Sequence, residues 1–274
     1  DITGSMNTRD QHLDGHPASR LEAVKHALRG LLAEEPCGSR LGLAVFTERR
    51  PFLLFEPAEV CANFPAIDEA IENLDWRMGW EGESHVAQGV YAAAGLAAAL
   101  GADLLFASDG QEAPPLPWNS TLAYDGRRGA VRGVLLGVGG HAPAPIPKYD
   151  DDGREIGFWQ PDEVPNENYA APPPPDAERR PGYNPRNAPF GSAGAAGHEY
   201  LSAVDEPHLR ELAGQVGLAY AALEEGAGLR DPLRRAGRLR HARAALDLRW
   251  IPAALALAVL AASILASWRA ARNA

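Results

Sequence analysis

The stretch VAQGVYAAAGLAAALGADLLFASDG, residues 86–110, contains the structural unit from which this fold is built. Its first part, Val86–Leu100, is rich in small and apolar residues and predicts a helix packed against a sheet. The ADLLFAS run that follows is continuously apolar, which is typical of a strand buried on both faces. This strand ends at Ser108, Asp109 and Gly110. A helix followed by such a strand is the repeating unit of an α/β fold.

The same alternation of helices and strands extends in both directions. Upstream, the predicted elements are a helix opened by a Ser19–Glu22 capping box, a strand at 40–46, an edge strand at 52–55 after Pro51 and a helix around 67–74. Downstream, they are a strand from Val131, the helix DEPHLRELAGQVG and a last strand, LAYAAL. We therefore predict a doubly wound, mostly parallel sheet with helices on both faces, a Rossmann-like arrangement.

Composition narrows the function classes. The chain has 274 residues, 46% of them hydrophobic, which is enough for a sizeable core. Its formal net charge of −10 argues against nucleic-acid binding, since phosphate contacts need a basic face. The only two cysteines, Cys37 and Cys61, form neither a disulfide framework nor a zinc spacing. We interpret them as small buried apolar residues, with a single bridge in an oxidising compartment as the alternative.

Oxygen-bearing side chains are concentrated at the start of the chain, in DITGSMNTRD. Asp1, Thr3 and Ser5 alternate along what reads as a strand end entering a turn, so we expect an apolar first strand to be missing before them. Oxygen donors that converge in this way suit a hard divalent cation. Ligands of parallel sheets lie beyond the carboxyl ends of the strands, which places Asp1 and Asp109 at the same edge.

A second region, 140–198, is proline-rich and without helical periodicity, and it predicts a long insertion loop. The run Asp150–Asp152 lacks the alternating ligands of a calcium-binding loop and is better interpreted as a solvated turn. Phe158 and Trp159 are unusual in a spacer. We expect this part of the loop to pack down or to meet a partner.

Near the C-terminus, residues 250–268 read WIPAALALAVLAASILASW, without a charge and with a tryptophan at each end. This predicts a transmembrane helix. The predicted organisation is a domain at 1–226, a basic juxtamembrane helix at 227–249, the span, and a basic tail at 269–274. More arginines lie before the span than after it, and positive-inside counting alone would place the domain in the cytoplasm. Those before it are Arg234, Arg235, Arg238, Arg240, Arg243 and Arg249, and those after it are Arg269 and Arg272.

The motif DITGS resembles the first metal motif of von Willebrand factor A domains, Asp-x-Ser-x-Ser, with Thr3 in the middle hydroxyl place. The resemblance implies that Ser84 in WEGESHVAQG and Asp109 in FASDGQE complete a metal-ion-dependent adhesion site with Asp1, Thr3 and Ser5. Such a site would hold one Mg²⁺ or Ca²⁺. With few charged ligands, the ion keeps positive charge and an open position for a carboxylate of a protein partner.

A closer resemblance covers the chain up to the C-terminal apolar segment. The segment LSAVDEPHLRELAGQVGLAY looks like the end of bacterial membrane-anchored A domains linked to MoxR-type ATPases. DITGSMNTRD, MGWEGESHVAQG and KYDDDGREIGFW are most similar to the MxaL-type proteins of methanol dehydrogenase gene clusters. The resemblance implies a periplasmic domain at the bacterial inner membrane that helps to load calcium into a quinoprotein methanol dehydrogenase. This localisation, which we prefer, opposes the charge count.

There are two alternatives to this role. One is a general membrane adaptor of a MoxR-type AAA+ ATPase that acts on other clients. The other is an enzyme, which we do not expect, because Ser84–His85 lies in no G-x-S-x-G elbow and the chain has no phosphate-binding G-x-x-x-x-G-K-[ST] loop. We therefore predict a binding protein whose one cofactor is the divalent ion.

Overall fold

The computed structural model describes residues 1–79, 82–120, 122–164, 172–185, 190–191, 198–226, 228–237, 248 and 250–272. Side chains are described in the last helix only for 250–264 and 268. The chain divides into two compact units, Asp1–Arg240 and His241–Ala274.

Helices and strands alternate along the first unit. Its described helices are α1 Arg20–Glu34, α2 Phe64–Glu72, α3 Val86–Leu100, α4 Glu206–Val216 and α5 Arg230–Ala236. Its described strands are β1 Gln11–Leu13, β2 His16–Ala18, β3 Arg40–Thr47, β4 Arg50–Glu59, β5 Leu104–Ser108, β6 Gly133–Gly137, β7 Ala144–Pro145, β8 Pro147–Tyr149, β9 Glu155–Phe158, β10 Leu201–Ser202 and β11 Ala219–Ala222. The predicted α/β class is confirmed.

Two sheets flank the first two residues of the chain. Strands β11, β6 and β5 form a parallel sheet in that order, while β3 and β4 form an antiparallel pair. Between them, the backbone nitrogen of Asp1 donates to Ala107 O at 3.0 Å and that of Ile2 donates to Phe46 O at 3.1 Å. These bonds place Asp1 at the carboxyl ends of β3 and β5, the edge that the sequence predicts.

The strands carry a hydrophobic core on each face. Neighbouring residues of β6 alternate between them, with Leu136 in one cluster and Leu135 in the other. Helices α1 and α2 contribute to the first cluster, whereas α3 and α4 contribute to the second. Because all five residues of β6 are buried, its continuous apolar run is explained by burial on both faces.

The start of α1 is fixed by the predicted capping box. Ser19 Oγ accepts the Glu22 N–H at 3.1 Å, and the Glu22 carboxylate accepts the Ser19 N–H at 2.7 Å. Both bonds satisfy N–H groups that the first helical turn leaves without partners. The prediction is therefore confirmed, and it places Arg20 at the first helical position, next to the sheet edge.

The insertion is more regular than the sequence predicts. Strands β8 and β9 form a hairpin, and β7 pairs with β10. The prediction of a turn at 150–152 is confirmed, since Asp150 Oδ1 accepts the N–H groups of Asp152 and Arg154 at 3.0 and 2.8 Å. Trp159 packs against the hairpin, because its backbone N–H donates to Ile146 O at 3.1 Å and the Lys148 ammonium lies over its ring. Residues 165–171, 186–189 and 192–197 lie outside the described part of the chain.

The interpretation of the cysteines as buried apolar residues is wrong. Cys37 and Cys61 are both exposed and form a disulfide, with Cα atoms 5.1 Å apart. Their sequence separation is 24, so no short motif predicts the pairing. The fold brings them together, because one precedes β3 and the other follows its antiparallel partner β4.

The C-terminal predictions are corrected in part. The second unit contains the helix α6, Trp250–Arg272, which covers the predicted span and extends into the predicted tail. Even so, the described residues include no helix with the length and apolarity that a membrane crossing requires, and the structure does not support the predicted anchor. Of the predicted basic helix at 227–249, α5 covers Arg230–Ala236, while 238–247 and 249 lie outside the described residues.

Candidate cation-binding site

Three of the five predicted ligands form a hydrogen-bonded cluster at the start of the described chain. Asp1 Oδ1 accepts both the Thr3 N–H at 2.9 Å and the Thr3 hydroxyl at 2.8 Å. Thr3 Oγ1 lies 3.5 Å from Ser5 Oγ, which a 3₁₀ turn over Gly4–Asn7 carries. Thr3 and Ser5 are both buried. The structure thus brings Asp1, Thr3 and Ser5 together as the sequence predicts.

Ser108 is a member of this cluster that the sequence analysis missed. Its hydroxyl donates to Asp1 Oδ2 at 2.6 Å. Ser108 ends β5 and is fully buried. The signal was present in the sequence, because Ser108 directly precedes Asp109 at the end of a predicted strand. Both carboxylate oxygens of Asp1 are therefore oriented by neighbouring hydroxyl groups.

Ser84 lies at the same sheet edge. Its backbone forms a parallel bridge with Glu48, next after β3, and an antiparallel bridge with Ala113, beyond the end of β5. The Ser84 N–H donates to Ala113 O at 2.7 Å. Ser84 is therefore held between the extensions of the two strands that flank Asp1. Its Oγ is buried and has no hydrogen-bond partner among the described residues.

Asp109 is at this edge too, but its carboxylate is engaged differently. Oδ1 accepts the Gln111 N–H at 3.0 Å. Oδ2 accepts from Arg20 Nη1 at 2.6 Å and from the Ser202 hydroxyl at 3.0 Å. The side chains of Asp109 and Arg20 are both fully buried. The described hydrogen bonds of this carboxylate thus go to Gln111 just beyond β5, to α1 and to β10 rather than to the cluster around Asp1.

Arg20 is the second feature that the sequence analysis missed. Its guanidinium also binds Asp10, at 2.6 Å from Nη2 to Oδ2, and donates to the Ser202 carbonyl at 3.1 Å. Burial raises the pKa of Asp10, but the Arg20 hydrogen bonds and the Gly140 N–H outweigh burial, and the pKa lies below its ordinary value. An arginine at a helix start carries no sequence signal for such a role.

The local charge favours a cation. The side chains of Asp1, Asp10 and Asp109 bring three negative charges, and Arg20 compensates one of them, leaving a formal −2. The donors around Asp1 are carboxylate and hydroxyl oxygens, the atoms that Mg²⁺ and Ca²⁺ prefer. A buried hydroxyl without a partner costs about 1–3 kcal/mol, which a bound ion at Ser84 would offset. These residues fit a hard divalent cation.

A second cluster of potential ligands lies elsewhere. The sulfur atoms of Cys37 and Cys61 and one carboxylate oxygen of Glu59 all lie within 4.8 Å of one another. The two sulfurs are joined in the disulfide, and it is the thiolate that binds metals. In the oxidised chain this cluster is therefore not a metal centre.

The serine–histidine pair does not form a nucleophile–base contact. His85 Nε2 lies 2.8 Å from Glu83 Oε2, and Ser84 Oγ has no partner among the described residues. A hydrolase site needs the base within hydrogen-bond reach of the nucleophile.

Beside the site, a histidine is paired with a buried carboxylate. Glu112 Oε1 accepts the Ala87 N–H at 2.8 Å and lies 3.0 Å from His208 Nε2. Burial lowers the pKa of His208. The hydrogen bond to Glu112 and the charges of Glu112, Asp205 and Glu211 raise this pKa by more than burial lowers it, so that the pKa lies above its ordinary value. The contact joins α4 to the start of α3.

We expect this pair to make stability depend on pH. Because the pKa of His208 is raised in the folded state, its contribution is fully present below the unfolded value of about 6.5 and is lost as the pH rises through the folded pKa. Urea unfolding from pH 5.5 to 8.5 measures the effect. In His208→Gln the loss of stability across this window should become smaller, and Glu112→Gln should do the same; an unchanged slope in both variants would contradict the assignment.

Fold and site together define an α/β domain with an oxygen-donor cluster at the carboxyl edge of its strands. No family model matches the chain, and no curated protein sequence matches it. The solved structures similar to it include an aerotolerance-related membrane protein from Bacteroides fragilis, with 17% identity over 82% of this chain and 88% of that one and a TM-score of 0.45. They also include the conserved hypothetical protein BatB from Bacteroides thetaiotaomicron, with 16% identity, the same coverage of 82% and 88%, and a TM-score of 0.49. Likenesses this distant carry no information about activity.

Proposed function

We propose that this domain is a cation-dependent protein-binding module rather than an enzyme. Asp1, Thr3, Ser5, Ser84 and Asp109 would hold one Mg²⁺ or Ca²⁺, and a carboxylate of a partner would bind to the ion. The resemblance of DITGS to the metal motif of von Willebrand factor A domains supports this role. The observation that carries it is the buried, unpaired Ser84 hydroxyl at the same sheet edge as the hydrogen-bonded Asp1 cluster.

The five residues would contribute unequally. The carboxylate oxygens of Asp1 are oriented by uncharged donors, which are the hydroxyls of Thr3 and Ser108 and the Thr3 N–H. Asp109 Oδ2 already binds Arg20 and Ser202, whereas Oδ1 accepts one described N–H, from Gln111. A carboxylate oxygen accepts two hydrogen bonds, so Oδ1 keeps a lone pair for the ion or its water. By the same count Asp1 keeps one lone pair, on Oδ2, because Oδ1 already accepts the N–H and the hydroxyl of Thr3. Since Arg20 already compensates Asp109 and the other proposed ligands are uncharged hydroxyls, the ion keeps net positive charge with which to attract a partner.

Substitution of Ser84 distinguishes a ligand from a structural residue. Ser84→Ala removes a hydroxyl without a partner, so we expect no loss of stability without metal. With saturating Mg²⁺ or Ca²⁺, we expect the stabilisation by the ion to be smaller than in the wild type. Thermal unfolding with and without each ion measures both. Thr47→Val is the matched control, because Thr47 Oγ1 is also buried without a described partner but lies outside the predicted ligand set.

Asp1→Ala tests the same site by charge. We expect at least tenfold weaker binding of Mg²⁺ and Ca²⁺ by titration calorimetry, together with loss of capture of a carboxylate-bearing partner. Equal affinities in Asp1→Ala and the wild type would contradict the proposed function. Metal binding that is lost in Asp1→Ala while partner capture persists would keep the ion site but reject its role in binding.

For the client, we propose a quinoprotein methanol dehydrogenase that receives its calcium with the help of this domain at the periplasmic face of the bacterial inner membrane. Similarity to MxaL-type sequences supports the client, and an exposed disulfide is typical of an oxidising compartment. Deletion in the organism of origin should give methanol dehydrogenase poor in calcium, restored by the wild-type chain but not by Asp1→Ala. Full calcium content would favour the second proposal, an adaptor of a MoxR-type ATPase acting on other clients, to be sought by crosslinking at the Asp1 edge.

A further inference from the structure

The disulfide lies where two thiols and a carboxylate meet. Cys37 is in the turn between α1 and β3, and Cys61 is in the turn between β4 and α2. Glu59, the last residue of β4, completes a group whose ligand atoms lie within 4.8 Å of one another. Cys37 and Cys61 are exposed, so that small molecules in solution reach them.

Both turns are held by contacts that do not need the disulfide. The Gly38 N–H donates to Glu59 Oε1 at 2.6 Å, and the Val60 N–H donates to Ser39 O at 3.0 Å. Arg40 pairs with Glu59 in the β3–β4 register. Residues adjacent to each cysteine are therefore joined across the two turns. Cutting the sulfur–sulfur bond leaves the two side chains next to each other.

We propose that reduction of the Cys37–Cys61 disulfide by a dithiol converts this cluster into a zinc-binding site. The dithiol transfers two electrons and two protons, the sulfur–sulfur bond breaks to give two thiols, and the dithiol becomes a disulfide. On binding Zn²⁺ the thiols release their two protons, and two thiolates and the Glu59 carboxylate become ligands. The fourth position is left for water or for a group from a partner.

The dimensions suit a tetrahedral ion. Zinc–sulfur bonds of about 2.3 Å at a tetrahedral angle require sulfur atoms about 3.8 Å apart. Starting from a bonded pair, each sulfur needs to move by about 0.9 Å, which rotation about its own Cα–Cβ bond provides. A Cα separation of 5.1 Å therefore needs no displacement of the strands. Thiolates favour Zn²⁺ over Mg²⁺ or Ca²⁺, which separates this site chemically from the one around Asp1.

Glu59 is prepared for such a role. Backbone N–H groups of Gly38 and Ala62 donate to its two oxygens, each at 2.6 Å. A carboxylate oxygen can accept two hydrogen bonds, so at least one lone pair of the Glu59 carboxylate remains for a metal. The side chain is thereby fixed in position before any metal arrives.

The test compares oxidised and reduced forms of the whole chain. The protein is reduced with a dithiol, freed of it under argon, and titrated with Zn²⁺ against a chromophoric chelator. We expect one Zn²⁺ per reduced chain and none per oxidised chain. Co²⁺ added in place of Zn²⁺ should give a thiolate-to-metal charge-transfer band in the reduced form alone. Glu59→Gln should weaken Zn²⁺ binding at least tenfold, and Cys37→Ser should remove the charge-transfer band or halve its intensity.

Other results would overturn the proposal. Equal Zn²⁺ binding by both forms, or a reduced chain that binds Zn²⁺ without a thiolate band, would show that the cysteines are not ligands. Loss of the far-ultraviolet circular dichroism signal on reduction, before metal is added, would show that the disulfide holds the turns and that no preformed site exists. Asp1→Ala is the independent control and should leave Zn²⁺ binding by the reduced chain unchanged, so this proposal and the proposed function fail separately.

Discussion

Replacing Arg20 by methionine should lower the free energy of unfolding by about 3–5 kcal/mol. Methionine has similar length but no charge, so the carboxylates of Asp10 and Asp109 would remain in the interior without their cation. The Arg20 side chain is fully buried, and those of Asp10 and Asp109 are 11% and 0% exposed. The cost arises chiefly from these uncompensated charges rather than from the strength of the ion pairs themselves.

Urea unfolding at pH 7 measures this change, and α1 supplies its own control. Arg29 lies on the same helix and pairs with Asp68 and Glu72, but its side chain is 43% exposed. Arg29→Met should therefore change stability much less than Arg20→Met, since water screens exposed ion pairs. Combining Arg20→Met with Asp109→Asn should recover part of the loss. Equal effects of Arg20→Met and Arg29→Met would reject the buried network as a main support of the site.

Gly89→Ala should destabilise the protein by about 1–3 kcal/mol, although alanine is the better helix former. A Cβ atom at Gly89 would lie 2.1 Å from Cε2 of Phe46. Phe46 is 2% exposed, and its ring packs against Phe106 with centroids 5.4 Å apart. Because the ring has no free space to retreat into, the new methyl group displaces α3 from the sheet.

Gly95 provides the matched comparison on the same helix. Nothing lies within 4 Å of a Cβ built there, so Gly95→Ala should raise stability by about 0.5–1 kcal/mol through helix propensity alone. Thermal or urea unfolding of the two variants measures effects of opposite sign. If both substitutions stabilise the chain, α3 is not packed on Phe46 as closely as the structure shows.

The elements that the sequence predicts well are those with a local cause. Val86–Leu100 was predicted with the bounds of α3, and the Ser19–Glu22 capping box fixes the start of α1. The β1–β2 hairpin was missed although Asp14 and Gly15, both with positive φ, form a recognisable turn signal. It was missed because its strands have three residues each and show no clear alternation.

The site was predictable as far as its residues follow strands. Asp1 and Asp109 were predicted at one edge because parallel strands present their carboxyl ends together, and Thr3 and Ser5 were added because they alternate with Asp1. Ser84 was predicted only from the resemblance to von Willebrand factor A domains. The partners of Asp109 were not predictable, since Arg20 and Ser202 lie 89 and 93 residues away from it. The disulfide was kept only as the alternative for the same reason. Contacts between residues distant in sequence depend on the completed fold and leave no mark in local spacing.

The buried guanidinium also explains how a long insertion is tolerated. Asp10, which binds Arg20, accepts the N–H of Gly140, and Arg20 itself donates to the carbonyl of Ser202. The Val204 N–H donates a hydrogen bond to Gly140 O at 3.0 Å, and the neighbouring strands β7 and β10 pair with each other. The insertion is thus closed at its neck, and both of its ends are fixed to the same buried network. For protein engineering, this neck is a defined point at which to exchange the insertion for another loop.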